Sequence, residues 1–394
     1  MTKHKLIRIT TVPISLDKLL SGQLAFMNQF YKVIGVSSEK EYLEQVGKKE
    51  NIEVCHIDMT RQITPIKDLV SVYELYRFFK KEKPFIVHTH TPKAGTVGML
   101  AAKLASVPNR LHTIAGLPLM EATGNKRKLL NFVEKITYSC ATKIYPNSFG
   151  LQEVILAEKF CEPEKLKVLG NGSTNGIDTS VFDPEKYSLK ENSISKEKLE
   201  ILPSDFVFIF VGRLVGDKGI NELVEAFGEL EIGDWRLETG VIKKVKLLLV
   251  GPLETELDPL LPETLKKIES NKNIITVGYQ NDVRPYFAIA DALVFPSYRE
   301  GFPNVVMQAG AMGLPSIVSN INGCNEIIIE KHNGMIIPVK NTTAIFEAMK
   351  KMVEDVDFYN DLKQNSRKRI VENYEQQVVW NAILEEYKKL EENV

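Results

Sequence analysis

The chain has 394 residues, 44% hydrophobic and 26% charged, with a net charge of −1, which excludes a disordered or fibrous protein and fits two or three globular domains. No apolar run reaches the roughly 18 residues of a membrane-spanning helix. The four cysteines lack metal-ligand spacing, so a reducing compartment with structural thiols is expected, not a disulfide scaffold or a zinc site.

The near-neutral sum hides an asymmetry. Residues 1–180 carry 25 Lys and Arg against 17 Asp and Glu, whereas 181–394 carry 25 against 34. The first half is therefore expected to face something anionic. Nucleic acid is a poor candidate, because no recognition helix or aromatic-interleaved basic motif occurs. An anionic membrane surface or a phosphate-bearing substrate fits. The opening MTKHKLIRITTVPISL runs directly into an alternating strand pattern, which predicts no cleaved signal peptide and a cytoplasmic location.

In chain order, residues 5–12, 31–36, 52–57, 85–90, 110–114 and 143–146 read as short buried strands, with helical periodicity over 66–82 and 92–106. In FIVHTHTPKAGTVGMLAAKLA (85–105), Thr91 suits an N-cap and Pro92 a first helical position. His88, His90 and Lys93 gather at that strand's carboxyl end, and strand parity puts both histidines on one face. They read equally well as acceptor contacts or as satisfied core histidines. No third ligand accompanies them, so no metal site is expected.

In NKRKLLNFVEKITYSC (125–140), Leu129, Phe132, Ile136 and Cys140 form an apolar stripe. Lys126, Arg127 and Lys128 crowd the helix start, where cations oppose the dipole unless an anionic partner offsets them. Lys80, Lys81 and Lys83 make a second cluster. This face reads either as a dock for anionic lipid or a carrier diphosphate, or as a solvated basic face over core residues. The stretch 181–204, rich in polar residues and charge, reads as a linker.

A second series of strands begins at 206 (FVFIFVGRL) and continues at 246–251, 274–278, 292–296 and 315–319. Strands alternating with helices imply parallel sheets with right-handed crossovers. Two such series predict two doubly wound parallel-sheet domains, 1–180 and 205–373, with a ligand cleft between them. The last segment, 374–393, is an amphipathic helix with Trp380 and Leu384 on its buried face.

FVGRLVGDKG (210–219) follows a strand. Gly212, Gly216 and Gly219 permit close backbone approach, and Arg213 and Lys218 make a natural diphosphate clamp, or else two solvated cations. The spacing is not that of a Walker loop. In SYREGFPNVVMQAGAMG, Pro303 suits a first helical position, leaving the Asn304, Val305 and Val306 amides open to an anion. Glu300 precedes that helix start and can accept from sugar hydroxyls, or merely answer the helix dipole. Gln308 lies one turn past Asn304 on the same face. A diphosphate flanked by two polyols, a nucleotide sugar, is the ligand this pattern suggests.

FVGRLVGDKG together with PSYREGFPNVVMQAGAMGLPSIVSNINGCNEII resembles glycosyltransferase family 4, and the likeness extends through NGSTNGIDTSVF to the Trp380 helix. The resemblance implies the GT-B fold: two Rossmann-like domains facing a deep cleft, with residues 374–394 crossing back to the first domain. It also implies metal-independent transfer from a nucleotide diphosphate sugar, UDP-linked by family default, with retention of configuration and no cofactor. By that resemblance Arg213 and Lys218 hold the diphosphate, and Glu300 contacts the transferred sugar. Gly212, Gly301, Phe302, Pro303 and the Asn304–Val306 amides line the donor site, and Gln308 meets the ribose where the family usually has a second acid.

HTHTPKAG and RLHTIAGLPL are similar to the branch building capsule and O-antigen polysaccharides on polyprenyl-diphosphate carriers. Ala115 stands where that family often has histidine, with His112 three positions earlier. The expected partners are a nucleotide sugar, a lipid-linked or free glycan acceptor and the inner membrane surface. Two alternatives stay open: a sugar-nucleotide epimerase of similar shape, and a donor-binding subunit without activity. A dinucleotide oxidoreductase would need a G-x-G-x-x-G after a strand, which is absent.

Overall fold

The structure, a computed structural model, describes residues 3–62, 64–117, 119, 122–233, 235–236, 242–256 and 258–392. Its contacts divide the chain into two units, 1–176 with 377–394, and 177–376.

The first unit opens with β1 (Lys5–Ile9), α1 (Pro13–Leu19), α2 (Gln23–Asn28), β2 (Lys32–Ser37), α3 (Lys40–Glu50), β3 (Glu53–His56) and α4 (Pro65–Glu82). It continues through β4 (Ile86–His90), α5 (Pro92–Leu104), β5 (Asn109–Ile114), α6 (Gly124–Cys140), β6 (Lys143–Pro146) and α7 (Phe149–Ala157). All strand pairs are parallel, in the order β3-β2-β1-β4-β5-β6. Ile7, Ile9 and Val87 face one apolar layer with α4 to α6, while Leu6, Val33 and Leu111 face the other. Small residues let α5 lie close to the sheet: a Cβ on Gly98 would stand 2.6 Å from Thr89.

The second unit runs through α8 (Leu189–Lys198), β7 (Phe206–Val211), α9 (Ile220–Glu231), a β8 (Trp235–Arg236) and β9 (Ile242–Lys243) antiparallel pair, β10 (Val245–Val250), α10 (Pro262–Ser270) and β11 (Ile274–Thr276). After α11 (Arg284–Ala288) come β12 (Ala292–Phe295), α12 (Asn304–Ala311), β13 (Ser316–Ser319), α13 (Cys324–Ile327), β14 (Gly334–Ile337), α14 (Thr342–Glu354) and α15 (Val356–Tyr374). Its parallel sheet has the order β11-β10-β7-β12-β13-β14. The β7 sequence FVFIFV is buried at all but its last residue, as a strand covered on both faces must be.

In both sheets the strand order reverses beside the first strand, between β1 and β4 and again between β7 and β12. Such a switch point parts the flanking crossovers and leaves a crevice at the carboxyl ends of the strands.

Some expectations need correcting. Residues 181–204 belong to the second unit; Ser188 closes a full capping box on α8 within them. That helix buries none of its residues, so neither hydrophobic periodicity nor burial advertises it. Strand β14 escapes a sequence reading because GMII is short and half-exposed. The last helix, α16 (Gln376–Glu391), belongs to the first unit, where Val379, Ile383, Leu384 and Tyr387 are buried. Trp380 is only half-buried and donates to Asn175 Oδ1 at 2.7 Å.

Candidate functional site

Three neighbouring strands of the second sheet bring the clamp residues to one edge. Arg213 follows β7, Glu254 follows β10 and Glu300 follows β12, each at a carboxyl end. Glycines make this convergence possible. Gly212 has φ +155°, and a Cβ on Gly251 (φ +146°) would lie 1.8 Å from the Gly212 carbonyl oxygen. At Gly219, φ +70°, a Cβ would lie 2.3 Å from the Pro296 oxygen. The Arg213–Lys218 loop is thereby pressed against the end of β12.

Lys218 Nζ meets Glu300 Oε1 at 2.5 Å, with both side chains more than four-fifths buried. Ser297, fully buried, places its Oγ 3.1 Å from Glu300 Oε1 and 3.4 Å from Lys218 Nζ. Arg213 Nη1 reaches Glu254 at 2.6 Å in a half-exposed pair. Asn322 donates to the Gly301 oxygen at 2.7 Å. A Cβ on Gly323 would strike the same Gly301 oxygen at 2.6 Å, so the loop after β13 braces the turn holding Glu300. Burial, and then the nearby Glu300 carboxylate, pushes the Cys324 thiol well up, leaving it an inert neutral group.

At α12, Pro303 is the N-cap rather than the first helical residue. The Val306 amide already donates to the Pro303 oxygen at 3.2 Å, which removes it from the expected trio. Asn304 is exposed, and Val305 and Gln308 are half-buried. The edge thus joins two cations, two carboxylates and a helix start, groups able to hold a pyrophosphate and hydroxyls together. Sequence reasoning missed Ser297, Glu254 and Asn322. The PSYRE run offered a signal for Ser297 alone, since the other two act through distant loops.

In the first unit the four acceptor-side candidates divide. His88 and His90 share a face as expected, their rings stacked at 4.4 Å, but both are buried. His88 spends Nδ1 on Tyr387 Oη at 2.5 Å and Nε2 on Thr113 Oγ1 at 2.7 Å. The fully buried Arg8 donates to His90 Nε2 (3.1 Å), Tyr387 Oη (3.0 Å) and Gln23 Oε1 (2.5 Å), so α16 is pinned to the sheet by polar contacts. His112 faces the opposite layer, bonded to Thr89 Oγ1 at 2.8 Å beneath Gly95. Lys93 pairs with Asp68 at 2.5 Å. His88 and His112 are therefore interior hydrogen-bond groups and not acceptor contacts. Thr91, expected as an N-cap, makes no cap bond; it is held at φ +73° and meets Thr11 Oγ1 at 2.8 Å.

Burial, reinforced by the Arg8 cation, holds His88 and His90 well below the ordinary imidazole range, and burial takes His112 down to about 4. The unfolded chain then binds protons that the folded unit refuses. Stability is complete above the unfolded histidine pKa of about 6.5 and is lost as pH falls below it, by up to ~1.4 kcal/mol per pH unit per histidine. For His112 the loss continues to about pH 4. Urea midpoints are expected to fall steeply on acidification from about pH 6.5 to about pH 5; midpoints unchanged over that interval would contradict the assignment.

Among the basic residues of α6, Arg127 is not free for a ligand: it pairs with Glu158 and donates to the Leu119 oxygen at 2.5 Å. Lys126 and Lys128 are exposed. Of the apolar stripe, Cys140 is buried, whereas Leu129 is 46% and Phe132 62% exposed, so the reading of that stripe as wholly core does not hold.

Comparison with known proteins accords with this layout. Residues 191–369 match the family model described as "Glycosyl transferases group 1", and residues 23–148 match "Glycosyl transferase 4-like". The chain is 32% identical over 385 residues to the capsular polysaccharide biosynthesis glycosyltransferase CapM of Staphylococcus aureus, covering 97% of this chain and 96% of that one. It is 30% identical over 317 residues to the UDP-Gal:alpha-D-GlcNAc-diphosphoundecaprenol alpha-1,3-galactosyltransferase of Escherichia coli, covering 80% and 78%. A solved structure of a glycosyltransferase from Rickettsia africae superposes with a TM-score of 0.79 at 19% identity, over the full length of both chains.

Proposed function

We propose, taking as premise that this chain belongs to the glycosyltransferases of GT-B fold, that it moves a hexosyl or N-acetylhexosaminyl group from a UDP-sugar to a polyprenyl-diphosphate-linked glycan, with retention of configuration. The observation that carries the reading is the largely buried Lys218–Glu300 pair at the switch point of the second sheet, 2.5 Å apart. A cation and a hydroxyl-accepting carboxylate side by side match the junction of a diphosphate and a sugar. The relative from Escherichia coli, named for a UDP-sugar donor and a diphosphoundecaprenol acceptor, supports the choice of substrates.

In this reading the departing diphosphate carries the developing negative charge. Lys218 and Arg213 stabilise it, with the amides of Asn304 and Val305 at the start of α12. Two side-chain cations then do for the diphosphate what a divalent ion does in other transferases. Glu300 accepts from hydroxyls of the transferred sugar. The acceptor hydroxyl attacks on the leaving-group face and gives its proton to a phosphate oxygen, so no side-chain base is required. Gln308 faces the ribose. An amide both donates and accepts where a carboxylate accepts twice, so Gln308→Glu is expected to tighten donor binding severalfold, about 1 kcal/mol. A donor dissociation constant unmoved by this change would remove Gln308 from the ribose.

The reading is tested by thermal-shift screening of nucleotide sugars, then transfer from the best binder to a polyprenyl-diphosphate sugar. The expected product is one sugar longer and keeps the donor's anomeric configuration. Release of an altered sugar nucleotide without any acceptor would replace transfer by epimerisation. Exposed Lys126 and Lys128 supply the carrier diphosphate with counter-charge in this scheme, and the enzyme works at the inner membrane face.

A further inference from the structure

Ser297 follows β12 closely and has no part in the scheme above, yet it lies between the two charges on which that scheme depends. It is fully buried. Around its Oγ stand Glu300 Oε1 at 3.1 Å, the Arg299 carbonyl oxygen at 3.1 Å, the Asp217 carbonyl oxygen at 3.4 Å and Lys218 Nζ at 3.4 Å. The ammonium only donates and the carboxylate and carbonyl oxygens only accept, whereas a serine hydroxyl has one proton to give. That proton therefore has three claimants and serves one at a time.

The claimants are unequal. The Asp217 oxygen already accepts from the Tyr298 amide at 2.8 Å. Glu300 Oε1 and the Arg299 oxygen remain, and they are equally distant. Rotation of the hydroxyl alone carries the proton from one to the other, with no heavy atom displaced. While Lys218 sits 2.5 Å from the same Oε1, a full positive charge answers the carboxylate, and the Arg299 carbonyl can compete for the Ser297 proton.

The proposed transfer disturbs that balance. Lys218 turns its charge to the departing diphosphate. Glu300, whose side chain is only 19% exposed, is then under-compensated where little water can reach it. A charged acceptor left in that state costs more than a carbonyl left in the same state. Among the described residues, Lys218 and Ser297 are the donors to the Glu300 carboxylate, and both sit on Oε1. Oε2 accepts from none of these residues, which leaves it for hydroxyls of the sugar. With the ammonium engaged by phosphate, the Ser297 proton is the donor left to hold Oε1, and a hydrogen bond to a charged oxygen is the stronger of its two choices.

We propose that Ser297 is a positioning residue for Glu300: its hydroxyl proton turns from the Arg299 carbonyl to Glu300 Oε1 as the diphosphate draws off Lys218, and keeps Oε2 aimed at the transferred sugar. The hydroxyl stays neutral throughout, so hydrogen bonds exchange and no covalent bond changes. This rests on the reading of Lys218 and Glu300 as diphosphate and sugar contacts, and it adds a mobile proton to a site otherwise built from fixed charges.

Two experiments on the full chain test it. The first needs no substrate: thermal midpoints of wild type, Ser297→Ala, Lys218→Ala and the double variant. With Lys218 present the ammonium covers the loss of the hydroxyl, and Ser297→Ala is expected to lower the midpoint by only a few degrees. In Lys218→Ala the hydroxyl is the donor left to Glu300, and the same substitution is expected to cost about twice that shift or more. Additive shifts would leave the proton on the Arg299 carbonyl throughout and overturn the proposal.

The second experiment reads transfer from a UDP-sugar. Ser297→Ala is expected to lower kcat roughly tenfold, the scale of one hydrogen bond to a charged group. Donor KM and the UDP dissociation constant should stay within about twofold, because the bond is needed only once charge has moved to the diphosphate. In a Glu300→Gln background, where the acceptor is neutral, Ser297→Ala should cost about twofold or less. Three results overturn the assignment: an unchanged kcat in Ser297→Ala, a loss carried by KM, or an equal loss with and without the Glu300 carboxylate. The last is what a serine that merely braces the Arg299 backbone would give. Failure of wild type to transfer from any UDP-sugar would instead overturn the substrate reading, while the midpoint cycle would still judge Ser297.

Discussion

Lys218→Ala is expected to lower turnover by roughly 10²–10³-fold, the usual cost of deleting one preorganised donor to a developing oxyanion. The change acts twice at this site. In the proposed reading it removes the cation nearest the departing diphosphate, and it leaves Glu300, four-fifths buried and 3.1 Å from Ser297, without its 2.5 Å counter-ion. An uncompensated carboxylate then repels the diphosphate it formerly bordered. The loss should fall on kcat more than on KM, because the charge grows in the transition state. Lys218→Arg keeps the charge but offers a planar fork to a position built around one ammonium, and should recover only part of the rate. Steady-state transfer kinetics with retained UDP binding check this; near wild-type turnover in Lys218→Ala would take the residue out of the mechanism.

Gly251→Ala carries the other large effect, and it originates in backbone packing, not in charge. The residue sits at φ +146°, and the added Cβ would lie 1.8 Å from the Gly212 oxygen and 2.7 Å from its carbonyl carbon. Backbone atoms cannot step aside as a side-chain tip does. The ends of β7 and β10 must spread, and Arg213 on one and Glu254 on the other move apart. A loss of about 3 kcal/mol of stability is expected from overpacking of this kind, together with weakened donor binding in whatever fraction folds. Gly228→Ala, where an added Cβ meets nothing within 4 Å, is the control and should be neutral or slightly stabilising in its helix. Thermal midpoints for the pair check the argument, and equal midpoints would refute it.

These two residues also mark how far the sequence was legible. Lys218 was legible only in company: a cation in a glycine-flanked loop reads as a diphosphate clamp or as a solvated charge, and the SYREGFPN turn with its helix start favours the first. Gly251 was not, because the glycine of VGP at a strand end looks like any turn glycine. Its role depends on Gly212, 39 positions away, lying across from it in the ladder between β7 and β10. The histidines went the other way. Parity predicted correctly that His88 and His90 share a face, but Tyr387, which occupies His88, arrives from 299 residues downstream. Leu129 and Phe132 were left open between core and docking face, because apolar periodicity reports a stripe and not what covers it.

Sequence alone determined the architecture and the chemical types at the carboxyl edge of the second sheet. Strand and helix periodicities are local, as is the helix start after Pro303, and strong local signals repeated in order leave few ways to wind a sheet. Tertiary structure alone decided which charges are paired. Lys218 meets Glu300 across 82 residues and Arg213 meets Glu254 across 41. It also buried Arg8 against Tyr387 across 379 residues and left the starts of α4 and α6 uncovered. Burial and charge partnership are properties of the space around a side chain, and that space is filled by segments whose arrival no local pattern records.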